Sequence, residues 1–233
     1  MTTQPRLSII MPVLDEAPQI AARLAALQGM RAKGVELVVA DGGSVDATLA
    51  AIGTLADRVI VAPRGRASQM NAGAAASRGR ILLFLHADTR LPDSALPDIL
   101  AAVDSGADWG RFDVRIEGRN ALLPVVAFMM NWRSRLTGIA TGDQAIFMRR
   151  EAFDRIGGYP DLPLMEDITA SAALARESPP ACLREIVVTS GRRWERQGVL
   201  RTILLMWWLR AAFFFGADPQ RLALRYGYRP RVG

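Results

Sequence analysis

The chain has 233 residues and half of them are hydrophobic, so it can bury the core of one large α/β domain without cross-links. Its one cysteine, Cys182, and its one histidine, His86, exclude an internal disulfide, a cysteine-rich zinc site and a multi-histidine metal site. The first residues are polar and the first apolar run is short and ends in acid. We therefore expect no signal peptide and a cytoplasmic protein.

The net charge of +6 is concentrated in the C-terminal part of the chain. Residues 184–233 contain ten arginines and three acidic residues, a net charge of +7, which leaves −1 for residues 1–183. A basic tail of this kind suits nucleic acid, an anionic lipid surface or a phosphorylated substrate. No helix-turn-helix, zinc-finger or aromatic-basic RNA motif is present, so we expect no nucleic-acid partner.

Strands and helices alternate through the first hundred residues. Apolar runs predict strands at 7–13, 36–40, 58–62 and 81–85, and helical patterns follow at 17–28, 46–56, 67–78 and 94–104. The expected helix-start signals are N-caps at Ser44 and Ser68, with Pro18 and Pro92 near the first turns. This alternation predicts right-handed crossovers and a mostly parallel sheet flanked by helices.

The second half predicts fewer and more widely spaced strands, with no repeat and no linker that would divide the chain. Strands are expected at 111–117, 144–149 and 184–189, and helices at 121–136, 166–176, 198–216 and 218–226. The apolar stretch ILLMWWLRAAFFF at 203–215 is too short for a membrane span of about 20 residues and contains Arg210. Two interpretations stay open: a buried or interface helix, or a helix lying on an anionic leaflet.

Three apolar runs end abruptly in acidic residues. They are SIIMPVLDE at 8–16, LVVADGGS at 37–44 and ILLFLHAD at 81–88. The carboxyl ends of parallel strands meet at one edge of a sheet, which is where α/β proteins bind ligands. Carboxylates crowded there repel one another unless a cation or a hydrogen-bond donor joins them, so the pattern predicts a metal-assisted nucleotide site.

Other common sites are excluded by their missing motifs. The chain has no GxxxxGK[ST] phosphate loop, no GxGxxG turn after the first strand, no HExxH and no GxSxG. The remaining chemistry uses oxygen ligands: aspartate, glutamate, a hard divalent cation and phosphate.

Seven motifs in a fixed order carry a resemblance to a known family. They are SIIMPVLDE at 8–16, DGGSVD at 41–46, GRASQMNAG at 65–73, LHADT at 85–89, GDQAIFMRR at 142–150, MED at 165–167 and RW at 193–194. Over nearly its whole length the chain resembles family 2 glycosyltransferases, which are inverting enzymes of the GT-A fold. It is most similar to the small radical-SAM/selenodomain-associated transferase 2 subgroup. The resemblance implies a GT-A domain at 1–196, with a donor half at about 1–110, an acceptor half at 111–196 and a basic, aromatic helical tail at 197–233.

The resemblance implies a donor site for a nucleotide sugar. Its members would be Pro12, Leu14, Glu16, Asp41, Ser44, Arg66, Gln69, Asn71, Asp88, Arg193 and Trp194. Asp41 would accept a hydrogen bond from a uracil-type imide, which favours a UDP-sugar. From the residues alone, Asp41 is equally well explained as a turn residue before two glycines. Where many relatives have a second acid, this chain has Gly42.

Several other donor residues have structural alternatives. Gln69 fits a solvent-facing helix start almost as well as a binding site. Arg193 and Trp194 resemble a basic-aromatic motif that closes over the diphosphate in larger relatives, but the glutamine that precedes that motif is missing. Stabilisation of the tail by Arg193 and packing of Trp194 are the alternatives.

The resemblance implies one metal-binding residue and one catalytic base. Asp88 matches the last acid of the family's Asp-x-Asp motif and would bind Mg²⁺ or Mn²⁺, with His86 in place of the first acid. Asp167 aligns with the base that takes the proton of an acceptor hydroxyl. Without the resemblance, Asp167 and Glu166 are ordinary acids at a helix N-terminus.

The acceptor is expected to bind on the second half of the chain. The expected acceptor-side groups are 131–135, Gly142, Asp143, Gln144 and Glu166, with Glu166 orienting Asp167 or a loop. The basic, aromatic tail leads to the hypothesis of a lipid-linked acceptor and peripheral contact with the inner membrane face.

The function predicted from the sequence is metal-dependent transfer of a sugar from a nucleotide sugar to a hydroxyl acceptor. Two other classes stay open. One is a non-catalytic nucleotide-sugar sensor or scaffold that keeps the fold. The other is a sugar-nucleotide pyrophosphorylase, which needs a glycine-rich basic loop where this chain has the acidic PVLDE at 12–16. The sugar, the acceptor and the oligomeric state are not predicted.

Overall fold

The structure is a computed structural model that describes residues 4–228. Its centre is a seven-stranded sheet with the order β3-β2-β1-β4-β6-β5-β7. The strands are β1 Leu7–Val13, β2 Glu36–Asp41, β3 Arg58–Val61, β4 Ile81–Phe84, β5 Trp109–Glu117, β6 Phe147–Arg149 and β7 Ala181–Ser190.

Helices cover both faces of the sheet and form the C-terminal tail. They are α1 Ala17–Ala26, α2 Gln28–Arg31, α3 Thr48–Ile52, α4 Arg66–Ala76, α5 Ala95–Asp104, α6 Leu123–Thr137, α7 Arg150–Arg155, α8 Glu166–Glu177, α9 Arg192–Gln197, α10 Val199–Phe214 and α11 Pro219–Tyr226. A 3₁₀ turn at Gly142–Gln144 precedes β6.

The sheet is mostly parallel, as the alternation of elements predicts. β1 pairs in parallel with β2 and β4, β2 with β3, and β5 with β7, whereas β6 runs antiparallel between β4 and β5. Because β1, β2 and β4 run in one direction, the acidic segments that follow them lie at one edge of the sheet.

Two glycines allow close packing around β1, which is buried along its whole length. A Cβ at Gly73 of α4 would lie 2.5 Å from the Cγ2 of Ile10, so only glycine lets this helix approach the strand so closely. A Cβ at Gly79 would lie 2.5 Å from the backbone nitrogen of Ser8. The apolar side chains on both faces of β1 continue into the two main core clusters of the domain.

The tail helices pack on the rest of the chain. Leu209 of α10 and Leu222 of α11 are fully buried against Leu164 and Met165, which precede α8. The first half of α10 packs on α6 through Val199. Across residues 4–228, no helix combines the length and the apolar character that crossing a membrane requires.

Several local predictions are wrong. The N-cap residue of α4 is Gly65, and the Ser68 hydroxyl donates to the carbonyls of Pro63 and Gly65. α3 begins only at Thr48, because the Ser44 hydroxyl binds the neighbouring turns. The predicted first helix is divided into α1 and α2 at Leu27. Residues 144–146 belong to the 3₁₀ turn and a loop, and α7 and α9 were not predicted.

Candidate active site

A cavity of about 940 Å³ lies at the edge of the sheet where β1 and β4 end. Its lining includes Pro12, Leu14, Glu16, Arg66, Gln69, Asp88, Gly142, Asp143, Glu166, Asp167, Arg193 and Trp194. These residues come from the β1–α1 turn, the start of α4, the loop after β4, the 3₁₀ turn, the start of α8 and α9. The cavity therefore brings together twelve of the sixteen residues expected individually in a site, and Arg133 from the expected segment 131–135.

The strand-end acids Glu16 and Asp88 face the same space. Burial and then the nearby Asp88 carboxylate raise the pKa of Glu16, and a hydrogen bond from Gln19 acts in the opposite direction. No hydrogen bond or ion pair engages the Asp88 carboxylate anywhere in residues 4–228, which leaves both of its oxygens available to a ligand. Acids from two of the three strand ends therefore reach the cavity, and the acid at the end of β2 does not.

Asp41 and Ser44 lie outside the cavity lining, in the turn after β2. The buried Asp41 carboxylate accepts hydrogen bonds from the backbone N–H groups of Gly43 at 2.9 Å and Ser44 at 3.0 Å. The Ser44 hydroxyl in turn accepts the Asp15 N–H at 2.9 Å, which ties the β2–α3 turn to the β1–α1 turn. The geometry is that of a turn aspartate, and recognition of a base by Asp41 stays a prediction.

Gln69 lines the cavity and also joins the strands beneath it. Its amide nitrogen donates to the carbonyls of Val13 and Ala40, both at 2.8 Å. A Cβ at Gly42 would lie 2.9 Å from this amide, so any side chain at position 42 would require the end of the Gln69 side chain to move.

Asn71 and Gln144 are the other two expected residues outside the lining. Asn71 donates to the carbonyl of Tyr159 at 2.8 Å and accepts its N–H at 2.9 Å, which joins α4 to the turn before α8. Gln144 is fully buried and donates to Ser134 of α6 at 3.1 Å. Both side chains position the loops that form the cavity, and a direct role in binding stays a prediction.

His86 and Gly142 form a tight contact on the cavity floor. His86 Nδ1 lies 3.4 Å from the Asp143 carboxylate. Burial alone would lower the pKa of His86, but the hydrogen bond and the charge of Asp143 raise it. A Cβ at Gly142 would lie 2.4 Å from the imidazole Cε1 and Nε2 atoms, so the ring occupies the space that any side chain there would need.

Asp167 lies at the N-terminus of α8. Its carboxylate accepts the N–H of Gly142 at 2.8 Å and that of Ile168 at 2.7 Å, which fixes its orientation. Each carboxylate oxygen has a second lone pair, so the group can still accept a proton or a hydrogen bond from a ligand. Asp88 and Asp167 thus line one cavity from opposite halves of the chain.

Glu166 is buried and pairs with Arg66 at 3.5 Å. Burial raises the pKa of Glu166 and so does the neighbouring Asp167, whereas Arg66 acts in the opposite direction. This pair connects the start of α8 to the start of α4. Arg66 is therefore held by an acid while its exposed part faces the cavity, as expected of a group that holds a diphosphate.

Arg193 and Trp194 line the cavity from α9. The Arg193 guanidinium carbon lies 3.4 Å above the centroid of the Tyr226 ring and the group donates to the Tyr226 carbonyl. Trp194 packs beside the cluster formed by α6 and α10. Both sequence interpretations are compatible with this geometry, because Arg193 anchors the tail and also faces the cavity.

Three arginines of the lining, Arg64, Arg133 and Arg210, were not singled out from the sequence, and the last two lie near Asp167. Arg133 of α6 lies within the segment expected on the acceptor side, and Arg210 comes from the tail. Their positions follow from the packing of α10 against the domain, for which the sequence pattern offered no signal. Both are near Asp167, whose charge affects the pKa of each guanidinium.

The described residues do not form a complete metal cage. Among residues 4–228, no three histidine, cysteine, aspartate or glutamate side chains are close enough to hold an ion by themselves. Among the carboxylates that line the cavity, Asp88 is the one without a hydrogen-bond or ion-pair partner in residues 4–228, and Glu16 lies close by. This oxygen donor set fits a hard divalent cation that takes its remaining ligands from a bound diphosphate and water.

The seven-stranded, mostly parallel sheet with this cavity at its carboxyl edge is the fold of GT-A transferases. A sequence model of glycosyl transferase family 2 matches residues 8–157. Since this match covers more than half of the sequence, the chain belongs to glycosyl transferase family 2.

Sequence relatives carry the same general description. Glycosyltransferases of uncharacterized specificity from Mycobacterium bovis and Mycobacterium tuberculosis are 29% identical over 130 residues, which is 55% of this chain and 54% of theirs. The chain therefore spans about half the length of the curated relatives it matches.

Solved structures share the fold at low sequence identity. Staphylococcus aureus TarS 1–349 in complex with UDP-GlcNAc has a TM-score of 0.65 at 17% identity, covering 79% of this chain and 58% of that one. Mannosyltransferase PcManGT from Pyrobaculum calidifontis, in complex with GDP-Man and Mn²⁺, has a TM-score of 0.60 at 22% identity, covering 80% and 57%. Glucosyl-3-phosphoglycerate synthase from Mycobacterium tuberculosis, in complex with Mn²⁺, UDP and glucosyl-3-phosphoglycerate, has a TM-score of 0.55 at 17% identity, covering 78% of this chain and 70% of that one.

Proposed function

We propose that the protein transfers a sugar from a nucleotide sugar, preferably a UDP-sugar, to the hydroxyl of an acceptor, with inversion at the anomeric carbon. The observation that carries this proposal is that Asp88 and Asp167 line the same cavity. The neighbours crystallised with UDP-GlcNAc, UDP and GDP-Man support a nucleotide-sugar donor. The order of motifs along the chain supports the radical-SAM-associated subgroup.

The donor diphosphate would bind between Asp88 and the two arginines Arg66 and Arg193. Guanidinium groups bind phosphate oxygens through charged, often bidentate hydrogen bonds. Asp88 would hold Mg²⁺ or Mn²⁺ together with the diphosphate. The bound ion supplies positive charge that offsets the negative charge growing on the leaving nucleoside diphosphate.

Asp167 would act as the general base. The acceptor oxygen forms a bond to the anomeric carbon while its proton passes to the Asp167 carboxylate. The bond between that carbon and the diphosphate oxygen breaks, and its electron pair leaves with the nucleoside diphosphate. Attack on the face opposite the leaving group inverts the configuration. Gly142 and Ile168 orient the base through their N–H groups.

The acceptor half of the chain would include α6, the 3₁₀ turn and α8. We place the donor half at about 1–110, the acceptor half at 111–196 and the tail at 197–233. Exposed aromatic side chains on α10, including Trp207 and Phe214, support a lipid-linked acceptor reached from the cytoplasmic face of a membrane.

Two experiments test the proposal: a screen of nucleotide-sugar donors, and a comparison of the wild type with the variant Asp167→Asn. Thermal-shift measurements with UDP-sugars and GDP-sugars in the presence of Mn²⁺ are expected to single out one donor, because ligand binding raises apparent stability by mass action. Asp167→Asn should keep that shift and lose at least about 100-fold in the rate of sugar transfer or donor hydrolysis. Unchanged turnover in Asp167→Asn would remove the assigned base, and no shift with any donor would reject the function.

A further inference from the structure

Two guanidinium groups of the cavity have no partner within residues 4–228. Arg133 and Arg210 both line it, and the side chain of neither forms a hydrogen bond or ion pair in this part of the chain. The Nε and Nη2 atoms of Arg133 and the Nε atom of Arg210 are shielded from solvent and lack any acceptor. Arg66 and Arg193, by contrast, are engaged by Glu166 and Tyr226.

An unpaired, shielded guanidinium pair is costly. Burial and then repulsion from Arg210 lower the pKa of Arg133 to about 10, against the attraction of Asp167. Burial also lowers the pKa of Arg210, and again Asp167 acts in the opposite direction. Burial deprives these guanidinium groups of hydrogen bonds to water. A bound anion can replace those bonds, because a carboxylate or phosphate accepts several guanidinium hydrogen bonds at once.

The charge of the pair favours phosphate. Two guanidiniums carry two positive charges, and a phosphate monoester carries about −1.5 to −2 at neutral pH. A carboxylate neutralises only one of the two. Asp167 lies close to both arginines, so an anion bound between them would hold its own acceptor group next to the base.

Part of the lining of the same cavity is apolar and open to solvent. It is formed by Val125 and Met129 of α6 and by Ile203, Met206 and Trp207 of α10. Trp207 is 64% exposed and Met129 is 50% exposed. Exposed apolar side chains grouped in a cavity lining mark a site for an apolar ligand.

We propose that the acceptor is an amphiphile that carries a phosphate beside the hydroxyl that receives the sugar: the phosphate binds Arg133 and Arg210, and the apolar chain leaves the cavity between α6 and α10. This inference rests on the proposed sugar transfer and names the class of its acceptor. The phosphate provides the anion for the two arginines, and the chain covers the apolar part of the lining. The transfer step itself is the one written above.

Calorimetric titration with simple probes tests this assignment. In metal-free buffer at fixed salt, the full chain is titrated with dodecyl phosphate, dodecanol, dodecanoate and inorganic phosphate, all below micelle formation. We expect dodecyl phosphate to bind at least about tenfold more tightly than each of the others, because only it satisfies both parts of the site.

Charge-matched variants locate the binding. The double variant Arg133→Gln/Arg210→Gln should bind dodecyl phosphate at least tenfold more weakly than the wild type. The control Arg196→Gln/Arg201→Gln removes two exposed charges from α9 and α10 and should change the affinity less than twofold. Trp207→Ser should weaken the binding of dodecyl phosphate several-fold. Phe215→Ser, at a residue beyond the end of α10, should leave that binding unchanged. If the double variant does not fold, the single variants Arg133→Gln and Arg210→Gln make the same comparison.

The outcomes separate this inference from the proposed function. The assignment of an amphiphilic phosphate would be overturned if inorganic phosphate, dodecanoate or dodecanol bound as tightly as dodecyl phosphate. It would also be overturned if the Arg133/Arg210 variant bound dodecyl phosphate as the wild type does. A thermal shift with UDP and Mn²⁺ is expected for the wild type and for that variant alike. Its absence in the wild type would reject the donor site instead.

Discussion

At the scale of single residues, the backbone around the cavity holds unusual conformations. In the described part of the chain, three non-glycine residues have positive φ: Asp15 at 54°, Ala145 at 48° and Met165 at 70°. Asp15 lies between two residues of the cavity lining, Ala145 lies two residues after the lining residue Asp143, and Met165 itself lines the cavity. Such conformations cost about 1–3 kcal/mol each and persist where the surrounding structure enforces them, often at functional sites.

Gly142 offers a test at this scale. Gly142→Ala should lower the transfer rate at least tenfold, because the new methyl group needs the space of the His86 ring and must shift the N–H that holds Asp167. The measurement is the steady-state rate of nucleoside diphosphate release. Gly29→Ala adds the same methyl group in open space and should leave the rate unchanged. A rate within twofold of wild type in Gly142→Ala would contradict the assigned contact.

At the scale of helices and strands, the boundaries of β1 and most helix starts could be predicted, but the capping role expected of Ser44 before α3 was wrong. β1 begins and ends where its apolar run does, because a fully buried parallel strand is apolar along its whole length. Ser44 fits an N-cap by its position in the sequence. In the fold, however, its hydroxyl accepts the Asp15 N–H from a loop 29 residues away, which no local pattern reveals.

The start of β2 is tied to its neighbours by one buried carboxylate. Glu36 accepts the Ser8 hydroxyl and the Arg78 N–H, both at 2.6 Å. Burial alone would raise the pKa of Glu36, but these hydrogen bonds and the Arg78 guanidinium lower it overall. A lowered native pKa means that the ionised group adds stability above the ordinary carboxyl pKa. This stability is lost as pH falls through the lowered value.

Glu36→Gln should therefore lower the free energy of unfolding at neutral pH, and it should lower it less at acidic pH. We expect a loss of about 1–3 kcal/mol at pH 7, because an ionised acceptor with several donors is replaced by a neutral amide. Urea unfolding at pH 7 and near pH 4 measures the difference. Glu117→Gln, at the exposed pair with Arg90, should not move the unfolding midpoint at either pH. An equal effect of Glu36→Gln at both pH values would be inconsistent with the lowered pKa.

At the scale of the whole molecule, the tail completes the cavity. Thr202, Met206 and Arg210 of α10 line it, so the site draws on nearly the full length of the chain. The sequence left open whether this stretch is core, interface or membrane-facing. Leu209 is buried while Leu204 is 66% exposed, so α10 packs with one face and leaves the other uncovered. The presence of both Arg133 and Arg210 in the cavity depends on this packing, which is why the sequence did not reveal it.

The packing of the tail can be measured directly. Leu209→Ala should lower the free energy of unfolding by about 2–5 kcal/mol, because it opens a cavity against Leu164 and Leu222. Leu204→Ala on the exposed face should change it by less than about 0.5 kcal/mol. Urea unfolding followed by circular dichroism compares the two. Equal effects of the two substitutions would mean that α10 does not pack as described.

In the proposed site, Asp88 and a nucleoside diphosphate share one divalent ion. Because Asp88 is the one cavity-lining carboxylate without a partner in residues 4–228, Mn²⁺ alone should bind weakly. The direct measurement is Mn²⁺ binding, followed by electron paramagnetic resonance, with and without UDP, for the wild type and Asp88→Asn. We predict that UDP tightens Mn²⁺ binding at least tenfold in the wild type and not in the variant. The same Mn²⁺ affinity with and without UDP, or an affinity that is unchanged in Asp88→Asn, would contradict this shared site.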